Sequence, residues 1–185
     1  GEIIQTISDD LSYAFAPKVS VMTAEQAELE QMKRYLENFA PCSVSDAVYF
    51  FRYTRAKAKR LMEQCVSASL GMLIWNDGVV IKETGTVYDS KATNAIFVLP
   101  GFDPLLVGYE KRENGMIPVE YLRDIYNLQG IIKPVIIHKG QCIATWTVRK
   151  NTIYIKPFQA DNKAACKRAE KKIRELTQCS ECRYE

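Results

Sequence analysis

The sequence is poor in the residues on which several common catalytic sites depend. It contains one histidine in 185 residues, His138, which falls at a predicted hairpin turn. A Ser-His-Asp or Cys-His site would have to be built around this residue, whereas a solvated turn position accounts for it without catalysis. No apolar run approaches the roughly 18 residues that a membrane-spanning helix needs, so we expect no membrane partner.

A strong excess of one charge is absent as well. The formal net charge is +3, which does not by itself argue for nucleic acid, so the local distribution of the cations has to decide. The length of 185 residues and the 47% hydrophobic content allow one packed domain or two small ones. The chain begins at Gly1 without an initiator methionine or a signal-peptide pattern, and we expect it to be a fragment with residues missing upstream.

Six cysteines do not make a disulfide framework in this sequence. Four of them fall inside predicted helices or strands, where a free cysteine behaves as a small hydrophobic residue: Cys42, Cys65, Cys142 and Cys166. Cys179 and Cys182 form a lone Cys-x-x-Cys in a polar tail, with no second pair and no histidine nearby, so we expect no metal and no cofactor. Because there is no secretory signal, the expected location is the reducing cytoplasm.

Three helices followed by a hairpin are predicted over residues 23–96. Each helix has a residue suited to capping its first turn: Thr23, Ser43 or Ser45, and Thr54. Gln26 completes a capping box at the first helix, and Pro41 ends that helix. The run Asn76-Asp77-Gly78 between two β-type segments predicts the hairpin. Three helices and a hairpin in this order are typical of a winged helix, in which the hairpin is the wing.

A small α+β domain, with an antiparallel sheet and a C-terminal helix, is predicted over residues 97–178. Its first strand ends at a Pro-Gly turn, and Asp103 before Pro104 is the pairing expected of an N-cap and the first helical residue. Gly108 closes this short helical turn. Three apolar side chains are expected to hold the turn on the core: Phe102, Leu105 and Leu106.

The rest of this domain is predicted as a hairpin, a third strand and a helix. The strands fall at 135–138, 142–149 and 152–158, and Asp161 or Asn162 caps the last helix. The flanking segments are a polar boundary at 82–93, a strand or linker at 1–22 completed by upstream residues, and a polar tail at 179–185. The predicted fold class is therefore α+β.

Three segments resemble the carboxy-terminal half of a bacterial DNA glycosylase family. They are Phe97-Val-Leu-Pro-Gly-Phe-Asp-Pro-Leu-Leu-Val-Gly-Tyr109, Lys133-Pro-Val-Ile-Ile-His-Lys-Gly-Gln-Cys-Ile-Ala-Thr-Trp146 and Ile153-Tyr-Ile-Lys-Pro-Phe158. The family is that of the winged-helix (AlkZ/YcaQ-like) glycosylases, which remove alkylated bases and unhook interstrand crosslinks. The resemblance runs from Phe97 to Leu176, and more loosely from Thr23 onward. It implies double-stranded DNA, damaged or intact, as the partner.

The densest group of cations without an acid lies at residues 52–60. Arg52 lies off the predicted third helix, whereas the other four lie on it. Cations near the start of a recognition helix would face phosphates, which supply most of the non-specific affinity for DNA. We therefore predict four phosphate contacts: Arg55, Lys57, Lys59 and Arg60. The alternative is a solvated helix face without a partner.

The resemblance also implies that a carboxy-terminal hairpin approaches the DNA groove. This role falls on cations at two turns of the second domain: Lys139, Arg149 and Lys150. Trp146 matches the family's tryptophan, but on a strand it is interpreted as a core residue rather than as a platform for base stacking.

The family's glycosylases position water with a Gln-x-Gln or Gln-x-Asp motif in their amino-terminal part. No such motif occurs here in a matching context, because Gln26-Ala-Glu28 lies in the capping box, where Gln26 has a structural role. We therefore predict no catalytic residue in this chain and interpret it as the DNA-binding part of a repair glycosylase. Two alternatives stay open: a winged-helix transcriptional regulator, and a protein-interaction module that does not bind DNA. The sequence leaves the oligomeric state open.

Overall fold

The structure is a computed structural model and describes residues 3–5, 13–15, 22–83 and 94–185. Ile3–Gln5 (β1) pairs antiparallel with Tyr13–Phe15 (β2), so the strand expected near the start of the chain finds its partner in the same segment. The polar boundary expected at 82–93 lies largely outside the described residues. Within the described ranges, no helix is both long and apolar enough to cross a membrane.

Three helices dominate residues 22–83, which we call the helical module. They are Ala24–Phe39 (α1), Val44–Phe51 (α2) and Arg55–Ala68 (α3). The predicted caps are confirmed, because in each case the side-chain oxygen accepts a hydrogen bond from a backbone amide in the first turn: Thr23, Ser43 and Thr54. Gln26 and Asp46 complete capping boxes at the first two helices.

A small antiparallel sheet completes the helical module. Its strands are Cys42–Ser43 (β3), Leu73–Asn76 (β4) and Val79–Lys82 (β5), in the order β3-β5-β4. Asp77 and Gly78 have φ values of 49° and 83°, as a two-residue hairpin with both central residues in the left-handed region requires. The predicted hairpin is therefore confirmed. The core of the module lies between α1, α3 and this sheet, with fully buried Met32, Leu36, Leu61, Met62 and Val80.

A five-stranded sheet organises residues 94–185, which we call the sheet module. Its strands are Ile96–Leu99 (β6), Val135–His138 (β7), Gln141–Arg149 (β8), Thr152–Pro157 (β9) and Glu181–Tyr184 (β10). The order is β10-β9-β8-β7-β6, and β10 runs parallel to β9. Two expectations are corrected here: the sheet is not wholly antiparallel, and residues 181–184 of the expected polar tail form its edge strand. The long helix that precedes the tail returns the chain to the side of β9.

The two faces of this sheet are covered by different elements. The long helix Lys163–Thr177 (α6) packs against one face, on which Ile136, Ile153 and Ile155 lie. The opposite face, carrying Val135 and Ile137, is covered by a segment that holds Pro104–Val107 (α4), a 3-10 turn at Val119–Tyr121 and Leu122–Ile125 (α5). Alternating residues of β7 thus belong to two separate cores, as the twofold side-chain period of a strand dictates.

The capped turn at α4 is confirmed in part. Asp103 accepts a hydrogen bond from the Leu105 amide at 2.9 Å, and the Leu106 side chain is fully buried. Phe102 and Leu105, expected to hold the turn on the core, are instead 53% and 39% exposed. Since α4 has a single turn, one of its side chains faces the core while its neighbours point away.

The expected side-chain cap of α6 is not formed. The 3-10 turn Ala160–Asn162 leads directly into the helix, so the entering amides bond to backbone carbonyls of the turn. The Asn162 side chain donates instead to the Ile143 carbonyl of β8 at 3.3 Å. Trp146 is part-buried and donates to the Leu99 carbonyl at 3.1 Å, which supports its interpretation as a core residue.

The two modules dock through the chain that follows α4. The Tyr35 hydroxyl donates to the Gly108 carbonyl, and the Tyr109 hydroxyl donates to the Phe39 carbonyl, both at 2.7 Å. The rings of Phe39 and Tyr109 meet edge to face at 5.9 Å. The Gly108-Tyr109 pair of the sheet module is thus bound to the last turn of α1.

A buried carboxylate makes a second connection between the modules. Asp46, which is 6% exposed, accepts from the Ser43 amide at 2.7 Å and from the Glu110 amide at 2.8 Å. One carboxylate therefore caps α2 and holds the backbone after Tyr109. Hydrogen bonds of this kind offset the cost of burying the charge.

Candidate nucleic-acid interface

The cations predicted as phosphate contacts lie at the start of α3, close to the end of α2. Arg52 ends α2 with a left-handed backbone (φ 59°), and Thr54 caps α3 two residues later. The buried face of α3 holds Ala58 and Leu61 against the core; Arg55, Lys59 and Arg60 are exposed, and Lys57 is half-buried. The predicted segment is therefore helical and accessible, but its four cations have different surroundings.

Lys57 connects two helices. Its ammonium lies 2.6 Å from the Glu28 carboxylate of α1 and 4.2 Å from the centre of the Tyr53 ring. The side chain is only about one-third exposed. A cation held by a carboxylate and an aromatic ring is well placed to join α1 to α3, and a phosphate would have to displace Glu28 to reach it.

Lys59 and Arg60 form looser ion pairs at the surface. The Lys59 ammonium lies 3.7 Å from Glu63, and the Arg60 guanidinium lies 3.5 Å from Glu25 of α1. Exposed pairs of this kind contribute about 0–1 kcal/mol and rearrange readily. These two cations can still turn toward a polyanion, at the cost of releasing a carboxylate.

Arg55 belongs to a different group of cations, at the junction of the two modules. We call this group the seam surface; it consists of Arg52, Arg55, Lys111 and Arg123. None of the four forms an ion pair with any residue in the described part of the chain. Only Arg55 was predicted from the sequence as a contact.

Aromatic rings link the cations of the seam surface. The Arg52 guanidinium lies 4.7 Å from the centre of the Tyr49 ring, and the Lys111 ammonium lies 6.0 Å from it. Lys111 also lies 4.8 Å from the centre of the Tyr126 ring, and Tyr126 and Arg123 line one shallow groove. The Arg55 side chain donates at 3.3 Å to Ser45, which lines the neighbouring groove.

Two carboxylates lie in the groove beside Tyr49, and both have other partners. Glu110 accepts from the Arg112 amide at 2.7 Å, and Glu113 accepts from the Ser43 hydroxyl at 3.2 Å. Arg52 and Arg55 line the same groove and balance the charge of these two carboxylates, while Lys111 and Arg123 lie outside its lining and add positive charge beside it. The sequence does not indicate that Lys111 belongs with the cations at 52–60, because only the docking of the modules brings it beside Tyr49 of α2.

The cations assigned to the hairpin turns do not lie together. Lys139 is in the turn between β7 and β8, whereas Arg149 and Lys150 are at the far end of β8. The nine residues of β8 separate these ends by about 27 Å. Gln141, two residues after Lys139, donates to the Gly115 carbonyl at 2.7 Å. The turn is thus tied to the segment that follows Lys111.

Arg149 has partners in the sheet module itself. Its guanidinium lies 5.0 Å from the centre of the Tyr154 ring and 3.8 Å from the Glu185 carboxylate. Lys150, by contrast, occupies the exposed turn with φ 52°. Of the two cations at this end of β8, Lys150 is therefore the more accessible.

His138 joins the Lys139 turn to α6. The Arg168 guanidinium lies 3.1 Å from its Nε2, and because arginine can only donate, Nε2 accepts and the ring is neutral in this contact. Burial lowers the pKa of His138, and the neighbouring cations Arg168 and Lys139 lower it further. This agrees with a structural turn position and gives no sign of a catalytic base.

The side chains of Gln26 and Glu28, the Gln-x-Glu triplet of α1, are both engaged in structural contacts. The Gln26 side chain accepts from the Thr23 amide at 2.9 Å, and Glu28 pairs with Lys57. A second triplet with the family's letters, Gln159-Ala160-Asp161, contributes to the exposed 3-10 turn before α6. Neither triplet lies at the seam surface.

The cysteines do not form a reactive or metal-binding centre among the described residues. All six are free, and no group of three or more potential metal ligands is present in these ranges. Burial raises the pKa of Cys42 and of Cys142 to about 12, so both remain thiols at neutral pH. Cys179 is buried, and burial together with the nearby Glu170 carboxylate raises the pKa of Cys182 to about 11.

Comparisons with known proteins converge on one family. A family model described as DNA glycosylase AlkZ-like matches residues 6–179. Among solved structures, the Streptomyces sahachiroi DNA glycosylase AlkZ is similar to this chain, with a TM-score of 0.68 and 16% sequence identity, over 90% of this chain and 48% of that protein. At this identity the likeness shows a shared fold, and the chain spans about half the length of that protein. A search of curated proteins finds no match.

Proposed function

Because the chain belongs to the AlkZ-like DNA glycosylase family, we propose that it is the duplex-binding part of a DNA repair glycosylase. In this proposal the helical module is a winged helix, with α3 as its recognition helix and the β4–β5 hairpin as its wing. The order of three capped helices, a strand between the first two and a final hairpin supports this assignment.

The seam surface is the observation that carries the proposal. Its four cations have no carboxylate partner in the described ranges, and two of them, Arg52 and Lys111, lie over aromatic rings, so they can exchange solvent for phosphate oxygens. Guanidinium groups such as those of Arg52 and Arg55 bind phosphates with two parallel hydrogen bonds. We propose that these two residues and Lys111 make the principal phosphate contacts, that Lys59 and Arg60 contribute at the rim, and that Lys57 mainly joins the helices.

We assign the hairpin cations to different places along the duplex. Lys139 is the groove contact closer to the seam surface in this proposal, because its turn is joined through Gln141 to the segment that carries Lys111. A contact by Lys150 would fall about 27 Å from the contact by Lys139, which corresponds to about eight base pairs of B-DNA. Arg149 would first have to leave Glu185.

We assign no hydrolytic step to this chain. The side chains of Gln26 and Glu28 are engaged in a helix cap and an ion pair, and the single histidine hydrogen-bonds an arginine. The proposal therefore places activation of water in the part of the parent protein that lies beyond this half, while the present chain holds the duplex and the surroundings of the lesion.

A titration of fluorescent duplexes at several salt concentrations tests the proposal. The double variant Arg52→Gln/Arg55→Gln should bind all duplex sequences more weakly, and the slope of log K against log salt should fall by about 0.9 for each phosphate that is no longer neutralised, or about 2 in total. The matched control is Lys33→Gln/Arg34→Gln on α1, which removes the same charge from exposed ion pairs. An equal decrease of slope in both variants, or no decrease in either, would overturn the assignment.

A further inference from the structure

A turn beside the seam surface is built rigidly from its own residues. The amide of Asn127 donates to the Ile131 carbonyl at 3.0 Å, and the Asn127 side-chain oxygen accepts from the Gln129 and Ile131 amides at 2.9 and 2.8 Å. Gly130 has φ 82°, which the tight return of the chain requires. Below the turn, Tyr126 pairs with Ile132 in an isolated bridge. We call residues 127–131 the Asn127 turn.

This turn presents an apolar side chain to solvent. Leu128 at its tip is 88% exposed, and Ile131 is 47% exposed. A single exposed leucine is common on protein surfaces and has no meaning by itself. Here, however, four hydrogen bonds hold the turn: the three above and one from the Gly130 amide to the Asn127 carbonyl at 3.3 Å. The Leu128 side chain therefore projects from a fixed support instead of folding back on the core.

Leu128 shares a groove with one cation of the seam surface and lies near a second. Leu128 and Arg123 line the same shallow groove as Tyr126, and the Lys111 ammonium lies over the Tyr126 ring. A polyanion that binds along the seam surface would therefore lie next to the exposed Leu128 side chain. Among polyanions, duplex DNA has both phosphates outside and an apolar base stack inside. DNA-binding proteins insert leucine and similar side chains between base steps from a backbone held at the phosphates.

We propose that Leu128 is a wedge that enters the base stack of the bound duplex where a nucleobase is missing or displaced. An undamaged stack opposes insertion, because base steps must first be separated at a cost of a few kcal/mol. A gap in the stack removes this cost and offers an apolar space for the side chain. Leu128 thus supplies preference for damaged structure, while the cations supply affinity. This inference rests on the proposed function, because the seam surface must first hold the duplex.

The ratio of two dissociation constants tests the wedge. Two identical duplexes are used, one intact and one with a central abasic-site analogue, and the ratio of their dissociation constants gives the preference. Leu128→Ala should reduce this preference about tenfold while leaving the affinity for the intact duplex and its salt dependence unchanged, because the net charge stays the same. Leu128→Met should retain most of the preference. Leu176→Ala, a truncation of another exposed leucine on α6, is the matched control.

The outcomes separate the wedge from the proposed function. An unchanged preference in Leu128→Ala, an equal decrease in Leu176→Ala, or no preference in the unaltered protein would overturn the wedge. In each of these cases, a smaller salt slope in Arg52→Gln/Arg55→Gln would still support the seam surface as the site of phosphate contacts. If the unaltered protein binds neither duplex, both the proposed duplex-binding function and the wedge are wrong. Because Leu128 is exposed, its variants should unfold at the same temperature as the unaltered protein, which thermal unfolding checks.

Discussion

The close contact between Gly108 and Phe39 predicts that a single methyl group will weaken the docking of the two modules. A Cβ built on Gly108 would overlap the Phe39 ring and approach the Pro104 carbonyl at 2.9 Å. The backbone itself tolerates alanine, since Gly108 has φ −76° and ψ −15°. The cost of Gly108→Ala therefore comes mainly from the overlap with Phe39 of α1, with a smaller part from the Pro104 carbonyl of α4 itself.

The expected cost follows from how little the Phe39 ring can move. It stacks on Tyr35 at 5.0 Å between ring centres and lies 5.7 Å from Phe50. Overpacking a well-filled site costs about 1–3 kcal/mol, and this rigid group of rings favours the upper end, about 3 kcal/mol. For a chain of this length, such a decrease in stability should lower the midpoint of thermal unfolding by about 6–12 °C.

Thermal and urea unfolding of three variants checks this reasoning. Gly115→Ala is the control, because a Cβ there meets nothing within 4 Å; it should change the free energy of unfolding by less than about 0.5 kcal/mol. Phe39→Leu should relieve the overlap, so that Gly108→Ala costs about 1–2 kcal/mol less in that background. If Gly108→Ala is no more costly than Gly115→Ala, or costs the same beside Leu at position 39, the steric explanation is wrong.

Two further predictions concern the sheet module. Because the chain has one histidine, an NMR titration should show a single imidazole midpoint, below the ordinary pKa of 6.5, and Arg168→Gln should raise it. Since the folded pKa of His138 is the lower one, this group favours the folded state above about pH 6.5 and opposes it as the pH falls through the folded value; an unshifted midpoint would contradict the contact. Although burial alone would raise the pKa of Glu170, hydrogen bonds from Arg174 and Tyr184 hold it below its usual range. Glu170→Gln should therefore loosen β10, seen as faster amide exchange at residues 181–184 with β7 unchanged, and equal protection in both proteins would refute this.

Local patterns in the sequence were sufficient to predict most elements of the fold. Thr23 and Asp103 cap helices because their side chains reach amides two or three residues away, an interaction that needs nothing from the rest of the chain. The Asp77-Gly78 turn is set in the same way by the backbone preferences of its two residues. The missed elements depend on distant partners. Residues 181–184 are polar, and only pairing with β9 makes them a strand.

The candidate site shows the same division more sharply. The run of cations at 52–60 is visible in the sequence, but its charges are not equivalent. Glu28 lies 29 residues before Lys57 along the chain, and no local rule indicates that the two form an ion pair. Arg55, in contrast, becomes part of a surface completed by Lys111, from the other module.

The sequence alone therefore determined the long helices α1, α2, α3 and α6, the caps of α1 to α4, both hairpins and the resemblance that the family match supports. These features arise from contacts over a few residues, whose geometry the residue types themselves specify. The tertiary structure alone decided which cations have no ion-pair partner among the described residues, the separation of Lys139 from Lys150 by the length of β8, and the place of Leu128 beside Arg123. The reason is that ion pairing and burial of a side chain depend on residues distant in sequence, and only the complete fold brings those residues together.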